Sequence, residues 1–364
     1  MPKRLTNREL NRATLSRQML LDRSERGVVE TEAFLLGQQA QQTHDPYIGL
    51  WSRLTGFRHE SLTELIVGKR LVRATTMRGT LHLHTPTDLA GLRALIQPVL
   101  ERMWQGNFRK RFGDNDPGSV LAAAREVIDR EPMTAGALGK ELAPLFPAAE
   151  PLAMTVLLQV REALIQVPPT RIWGSGHAPL LMRAERYLGP VASDLDLPTL
   201  VRRYLAAHGP ATVNDMQSWC GLTRLGEVFE AIGAELVTFE NEDGRLLYDL
   251  PDAPRPGADV GAPVRFMPLY DNAFLGFDDR RRFLLPGRKA DFLTDAKPAV
   301  VVDGLIAGGW AIETKKKQAR LVVTPFRKLM KREVADVERE GHAFLQFMEE
   351  HAESHEIEVA TPLD

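Results

Sequence analysis

The stretch SLTELIVGKRLVRATTMRGTLHLH, residues 61–84, decides the fold. Its first ten residues read as a helix, and LVRATTM and TLHLH read as two short strands with Arg78-Gly79 as the turn between them. A helix feeding a β-hairpin is the closing half of a winged helix. The residues upstream supply the opening half, with helices over LTNRELNRATLSRQML, VVETEAFLLG and PYIGLWSRL.

The outline recurs loosely twice more. A second unit runs from SVLAAAREVIDR through PMTAGALGKEL and the apolar helix LAMTVLLQVREALI to IQVPP and APLLMRAERYL, turning at Gly174-Ser175-Gly176. A third runs from LPTLVRRYLAAHG through ATVNDMQSWCG and RLGEVFEAIG to ELVTFE and RLLYDLP, turning between Asn241 and Gly244. Thr134 and Thr212 stand where helix N-caps belong. Between the first two units, PTDLAGLRALIQPVLERMWQGNFRKRF reads as one long amphipathic helix or a pair of helices. Pro254, Pro256, Gly257, Gly261 and Pro263 then mark a linker. Beyond it RFMPLY, AVVVDG, GGWAIET and ARLVVTPF read as strands, closed by the helix MKREVADVEREGHAFLQFM. The expected architecture is α+β, with three tandem winged-helix domains followed by a small, barrel-like C-terminal β domain. The expected boundaries are 1–112, including the long connecting helix, then 113–192, 193–255 and 256–364.

At 364 residues and 44% hydrophobic, the chain has material for a sizeable core and roughly two to four domains. No apolar run approaches the ~20 residues that a membrane helix needs, and MPKRLTNREL lacks the apolar middle of a signal peptide, so a cytoplasmic protein is expected. One cysteine, Cys220, excludes an intramolecular disulfide and a cysteine-rich zinc site. The net charge of −2 does not announce a polyanionic partner, but the cations are clustered. They gather in Lys3, Arg4, Arg8, Arg12 and Arg17, in Arg109-Lys110-Arg111, in Arg280-Arg281-Arg282 with Arg288 and Lys289, and in Lys315-Lys316-Lys317 with Arg320. A single such run is ordinarily a solvated face; four of them together favour a phosphate-bearing partner, and Lys315 to Arg320, which fall at a hairpin turn, suit phosphates or form a solvated loop.

The stretch GQQAQQTHDPYIGLW, residues 37–51, clusters uncharged amides in a mostly apolar chain. Read alone it is a polar loop or helix end whose amides satisfy nearby backbone groups. Side chains at i and i+2 point the same way only on extended backbone, since on a helix they lie about 200° apart. A working pair of glutamines here therefore requires a loop or strand. His82 and His84 alternate in TLHLH and so face one side of a strand; no third ligand stands nearby, and no metal is expected. Tyr47 and Trp51 are four residues apart on one helix face, a spacing more typical of core than of a base-stacking platform. No Gly-rich phosphate loop, Ser-His-Asp set or GxSxG motif is present.

Five phrases in order carry a resemblance: GQQAQ with PYIGLWSRL, RATTMRGTLHLHTPTDL, HGPATVNDMQSWCGL, RFMPLYDNAFLGFDDR and LVVTPFRKL. Together, over nearly the whole chain, they resemble the AlkZ/YcaQ family of winged-helix DNA glycosylases. The resemblance implies three winged helices and a C-terminal β domain that embrace duplex DNA. It also implies cleavage of the N-glycosidic bond of alkylated bases, in some members with unhooking of interstrand crosslinks. The family signature is Gln, an aliphatic residue, then Gln or Asp, and Gln39-Ala40-Gln41 fits it. The resemblance thus makes Gln39 and Gln41 the catalytic pair, with Gln38, Tyr47, Trp51, His82, His84 and Asp271 as candidate neighbours. Candidate DNA contacts are Arg78, Arg109, Lys110, Arg111, Arg281, Arg282, Lys315, Lys316, Lys317 and Arg320. The implied partner is double-stranded DNA carrying alkylated bases, with no cofactor and no membrane.

Glutamine does not titrate near neutral pH, so it cannot serve as a true general base. It can orient a water, and its carbonyl dipole can stabilise positive charge developing on the deoxyribose. Such modest help suffices best where the leaving base is already cationic, as in N7-alkylguanine or N3-alkyladenine. The other class of function open to this scaffold is a non-catalytic winged-helix DNA-binding protein or transcriptional regulator. A regulator is expected to dimerise on a two-fold site, whereas three units in one chain with no heptad stretch favour a monomeric enzyme. The motif holds no lysine for Schiff-base lyase chemistry, which favours a monofunctional glycosylase.

Overall fold

The computed structural model describes residues 2–288 and 297–362. The chain opens with β1 (Lys3–Arg4) and α1 (Asn7–Arg17), the helix being started by a reciprocal capping box between Thr6 and Glu9. α2 (Val28–Leu35) leads into the short β2 (Gln38–Gln39), then α3 (Asp45–Arg53) and α4 (His59–Val67). The stretch quoted first folds as read, α4 feeding β3 (Val72–Thr75) and β4 (Leu81–His84). Between these strands Arg78 and Gly79 both take left-handed backbone, at φ 56° and 72°. α5 (Pro86–Asn107) follows as one helix that continues through Pro98.

The second segment holds α6 (Pro117–Ile128), α7 (Ala135–Leu142), α8 (Pro151–Arg161), β5 (Leu164–Val167), β6 (Leu180–Arg183) and α9 (Ala184–Leu188). The third holds α10 (Leu197–His208), α11 (Val213–Cys220), α12 (Gly226–Ala231), β7 (Val237–Glu240) and β8 (Leu246–Asp249). Thr134 and Thr212 do cap α7 and α11, accepting from the backbone N–H groups of Ala137 and Asp215. Such a cap is worth about 1 kcal/mol. The link between β5 and β6 is not a tight turn but a long connection, because Pro168-Pro169 ends β5 early.

The C-terminal segment comprises β9 (Arg265–Phe266), α13 (Asn272–Leu275), β10 (Ala299–Val302), β11 (Leu305–Lys315), β12 (Gln318–Pro325), α14 (Lys331–Met348) and β13 (Ser354–Val359). Its sheet runs β13-β12-β11-β10-β9, with Phe344 of α14 stacked 5.0 Å from Phe266. β13 comes from the acidic tail. There SHEIEV alternates, with the glutamates exposed and His355, Ile357 and Val359 half-buried, and the strand pairs parallel to β12. Lys289 lies outside the described residues.

Sheet pairing joins the segments. The first two hairpins share one sheet, β2-β4-β3-β5-β6, through Arg73 opposite Gln166 and Ala74 opposite Ile165. The third hairpin takes β1 as a parallel neighbour, with Lys3 opposite Phe239. One hydrophobic cluster gathers Leu15, Tyr204, Trp219, Phe274 and Phe277, so α1, the third segment and the C-terminal segment bury apolar surface against one another. α5 bridges two cores, contributing Leu92 to this cluster and Ile96, Leu100 and Trp104 to that of the second segment.

Two buried, bidentate ion pairs tie distant segments together. Arg17 holds Asp249 at 2.7 and 2.8 Å, and Arg53 holds Asp271 at 2.7 and 2.9 Å. Arg53 also donates to the Gly49 carbonyl and to Gln18 Oε1. Removing one partner strands the other charge in the interior, at a cost of about 3–5 kcal/mol. Asp271→Ala is therefore expected to lower the urea-unfolding free energy by about that amount. A midpoint indistinguishable from the parent's would show that the pair does not hold these segments.

Candidate active site

β2 carries the glutamines on an edge of the five-stranded sheet. Gln38 lies opposite Leu83 and Gln39 opposite His82, and the Ala40 N–H donates to the Leu81 carbonyl at 2.7 Å. The backbone is therefore paired with β4 through Gln39 and Ala40, and the chain bends at Gln41, directly after the strand. Burial does not alternate here: Gln38, Gln39 and Ala40 are all withdrawn from water, and exposure begins at Gln41. Ala40 is fully buried, Gln38 reaches inward, Gln39 is 7% exposed and Gln41 is exposed. Gly37 makes the turn from α2 into the strand at φ 88°, where a Cβ would come within 2.4 Å of His84 Nδ1 and of the Leu83 carbonyl.

The Arg78 guanidinium meets the motif from the hairpin turn. It donates to Gln39 Oε1 at 2.9 Å, to Asn272 Oδ1 at 3.3 Å and to the Trp219 carbonyl. Asn272 in turn donates to the Gly37 carbonyl at 3.3 Å. Arg78 is thus not a cation on a free hairpin tip. Its left-handed backbone turns the side chain inward between three segments, and burial lowers its pKa to about 10, which leaves it protonated at neutral pH. Gln41 Oε1 accepts from the Leu81 N–H at 3.4 Å, a long contact.

Two acids and a second arginine lie behind the strand, and the sequence did not single them out. Gln38 Nε2 donates to Glu32 Oε1 at 2.5 Å, and burial pushes the Glu32 carboxyl up to about 8. Glu32 Oε2 and Gln38 Oε1 are buried without a donor. Asp45 Oδ2 accepts from the Gln42 N–H at 2.9 Å; burial raises its pKa to about 7, against the lowering effect of that bond and of Arg73. Arg73, itself buried, donates to the carbonyls of Ala40, Gln42 and Thr43 and so grips the loop after the strand. An acid inside VVETEAFLL and an arginine inside LVRATT carry no signal in sequence that their side chains turn inward.

His82 and His84 lie with rings 5.7 Å apart. His82 Nδ1 contacts the Thr80 carbonyl and His84 Nε2 contacts Thr76 Oγ1. Burial lowers both pKa values, that of His84 to about 4, so the rings are neutral at physiological pH. Among the described residues no group of three or more His, Cys, Asp or Glu could hold a metal. Tyr47 is core: its hydroxyl contacts Thr63 Oγ1 and accepts from the Trp173 N–H. Trp51 packs against Phe344 and Phe347 beneath the Arg23 guanidinium. Asp271 is spent on Arg53 and caps α13. The β5–β6 connection flanks the loop, with Arg171 donating to Thr43 Oγ1 and Trp173 4.3 Å from His44.

The expected DNA-contacting cations divide. Arg282 is buried, donating to Thr14 Oγ1 and the Pro210 carbonyl over the Phe277 ring, and so presents no guanidinium to DNA, whereas Arg78 is half-buried against Gln39 and Asn272. Arg109 donates to the Gly113 carbonyl. Arg111, Arg281, Lys317 and Arg320 stay near the surface but already pair with Glu150, Asp243 and Asp279, Glu353, and Glu313 and Glu358. Lys110, Lys315 and Lys316 are exposed. Cavities of about 690 and 620 Å³ lie elsewhere, one beside Phe34 and Pro251, the other among Arg8, Arg12 and Leu285, and neither is lined by Gln39 or Gln41.

Residues 33–347 of this α+β body match the family of DNA glycosylase AlkZ-like proteins. The chain belongs to the AlkZ-like DNA glycosylase family, which makes it a glycosylase with DNA as its substrate. It is similar to the interstrand DNA cross-link repair glycosylase of Streptomyces sahachiroi, at 24% identity over 90% of this chain and 92% of that protein. The solved structure of Streptomyces sahachiroi DNA glycosylase AlkZ shares the fold, with a TM-score of 0.75 at 21% identity, covering 98% of this chain and all of that one. Among the described residues no helix is long and apolar enough to cross a membrane.

The raised pKa of Glu32 has a measurable consequence. A carboxyl with a folded pKa above its ordinary 4.5 contributes its stability fully below that value and loses it as pH rises to about 8. The parent protein is therefore expected to lose urea stability relative to Glu32→Gln from about pH 5 to about pH 8, the difference levelling off above. A difference constant across that range would mean that Glu32 ionises normally.

Proposed function

We propose that this protein is a monofunctional DNA glycosylase that excises cationic alkylated bases of the N7-alkylguanine and N3-alkyladenine type, by attack of a water held by Gln39 and Gln41. It acts as a monomer on duplex DNA, without a cofactor, and its three helix–hairpin segments are winged helices that line the duplex. The observation that carries the proposal is the placing of Gln39 on an edge strand with Gln41 in the exposed bend just after it, in a chain of the AlkZ-like DNA glycosylase family.

The chemistry needs little from the protein. As the C1′–N bond breaks, its electron pair leaves with the base, and a base that was cationic departs neutral without protonation. Water oxygen bonds to C1′ and one water proton passes to solvent. Amides suffice to place that water, because a correctly held nucleophile removes much of the entropic barrier. No lysine stands in the motif to form a Schiff base. An edge strand outside the two large cavities suits bulky adducts, including the interstrand crosslinks named for the Streptomyces sahachiroi relative, since a base tethered to the opposite strand cannot be fully extruded.

Single-turnover release of N7-methylguanine from a duplex, read as strand scission after alkali, tests the proposal. Gln39→Ala with Gln41→Ala is expected to slow release about 10²- to 10³-fold while DNA binding persists. Full excision by the double variant would remove these residues from the mechanism. No release by the parent from methylated, bulky or crosslinked DNA would remove the activity. The exposed Lys315 and Lys316 offer a separate check. Replacing both with Ala is expected to weaken DNA binding and flatten the log K against log salt slope by about 2, one for each lost phosphate contact. An unchanged slope would place the DNA on another face.

A further inference from the structure

The two glutamines do not stand in equivalent surroundings. Arginine carries hydrogen-bond donors and no acceptor, so the Gln39 atom that meets Arg78 at 2.9 Å must be the carbonyl oxygen, whichever way round the amide is drawn. The same rule orients Asn272, whose Oδ1 faces Arg78 and whose Nδ2 donates to the Gly37 carbonyl. Gln39 Oε1 is thereby committed to the interior. Its Nε2 group makes no hydrogen bond among the described residues, yet it is not sealed from solvent. Gln41 is the converse case, an exposed amide whose only bond among the described residues is the long one from the Leu81 N–H.

We infer that Arg78 is a positioning residue that turns the Gln39 amide so that it donates to the attacking water, leaving Gln41 as the hydrogen-bond acceptor for that water's O–H. The inference rests on the assignment of Gln39 and Gln41 as the water-holding pair. Gln39 N–H engages one lone pair of the water oxygen and the other lone pair attacks C1′. One O–H of the same water donates a hydrogen bond to Gln41 Oε1, and as the oxygen bonds to C1′ a water proton passes to solvent, the amide staying neutral. The carbonyl dipole available to favour positive charge on the sugar is therefore that of Gln41, and not of both residues.

Arg78 is well placed for this task. The cage around its guanidinium, Gln39 Oε1, Asn272 Oδ1 and the Trp219 carbonyl, contains no carboxylate, so no rival anion draws the cation off the amide. Its acceptors come from the glutamine strand, the third segment and the C-terminal segment, so the amide's orientation depends on how all three are assembled. A non-glycine residue held at φ 56° adopts that backbone reluctantly, and here the surrounding structure imposes it.

Glutamate substitutions read the polarity directly, in single-turnover release of N7-methylguanine with DNA affinity measured alongside. Gln39→Glu keeps a partner for Arg78 but has no donor to offer, and release is expected to fall about 100-fold with affinity little changed. Gln41→Glu keeps an acceptor, and its loss is expected to stay within about tenfold. The reverse ranking, or equal losses, would overturn the inference. A cycle between Arg78→Met and Gln39→Ala then separates positioning from general structural support. If Arg78 acts through Gln39, Arg78→Met slows the parent at least about tenfold but costs little once Gln39 is Ala. Additive losses would overturn it. Full activity of Gln39→Ala would instead sink the active-site assignment itself, and the role of Arg78 with it.

Discussion

The Arg53–Asp271 ion pair is the contact on which the site's assembly depends. Arg53 ends α3, the helix into which the glutamine loop runs, and Asp271 opens α13 in the C-terminal segment. Both side chains are almost wholly withdrawn from water. Because they meet through two parallel bonds, they fix orientation as well as distance. Asn272 follows Asp271, and the pair therefore delivers the amide that touches both the Gly37 carbonyl and Arg78. The glutamine strand takes its backbone from the first segment, while the placement of its side chains depends on segments far along the chain.

Much of the fold was legible because it follows local rules. Alternation and helical spacing marked the helix and hairpin of residues 61–84, Thr134 and Thr212 marked helix starts, and the β-rich end beyond the Pro/Gly linker was plain. The sharing of one sheet by the first two hairpins was not legible. β3 and β5 join through backbone groups, and these carry no residue signature. β13 escaped notice because its outward glutamates dominate its composition, although its inward positions alternate as a strand should.

The requirement for extended backbone at Gln39 and Gln41 could be reasoned from side-chain direction alone. The residues that orient the motif could not. Arg78 reads as a cation on an exposed turn, and only the left-handed path of that turn and the presence of Trp219 and Asn272 show that it faces inward. Arg282 misled for the same reason: a run of three arginines looks like surface, yet its third member is buried over Phe277. Glu32 is invisible for the opposite reason, since an acid on a short helix ordinarily faces water. A common cost underlies all three, because a buried ionisable group must be supplied with partners by distant parts of the chain.

The pairing of β1 with β7 bears on how the molecule is made. β1 is synthesised before the third segment, yet its sheet partner among the described residues, β7, belongs to that segment. Until that segment is synthesised, β1 has no β7 to join, and α1 lacks Asp249 for its Arg17. α1 must therefore wait, with part of its apolar face uncovered, while the first two hairpins are already able to zip into their common sheet. In nascent chains of this architecture β1 and α1 accordingly find their permanent place only with the third segment, after the shared sheet of the first two hairpins can form.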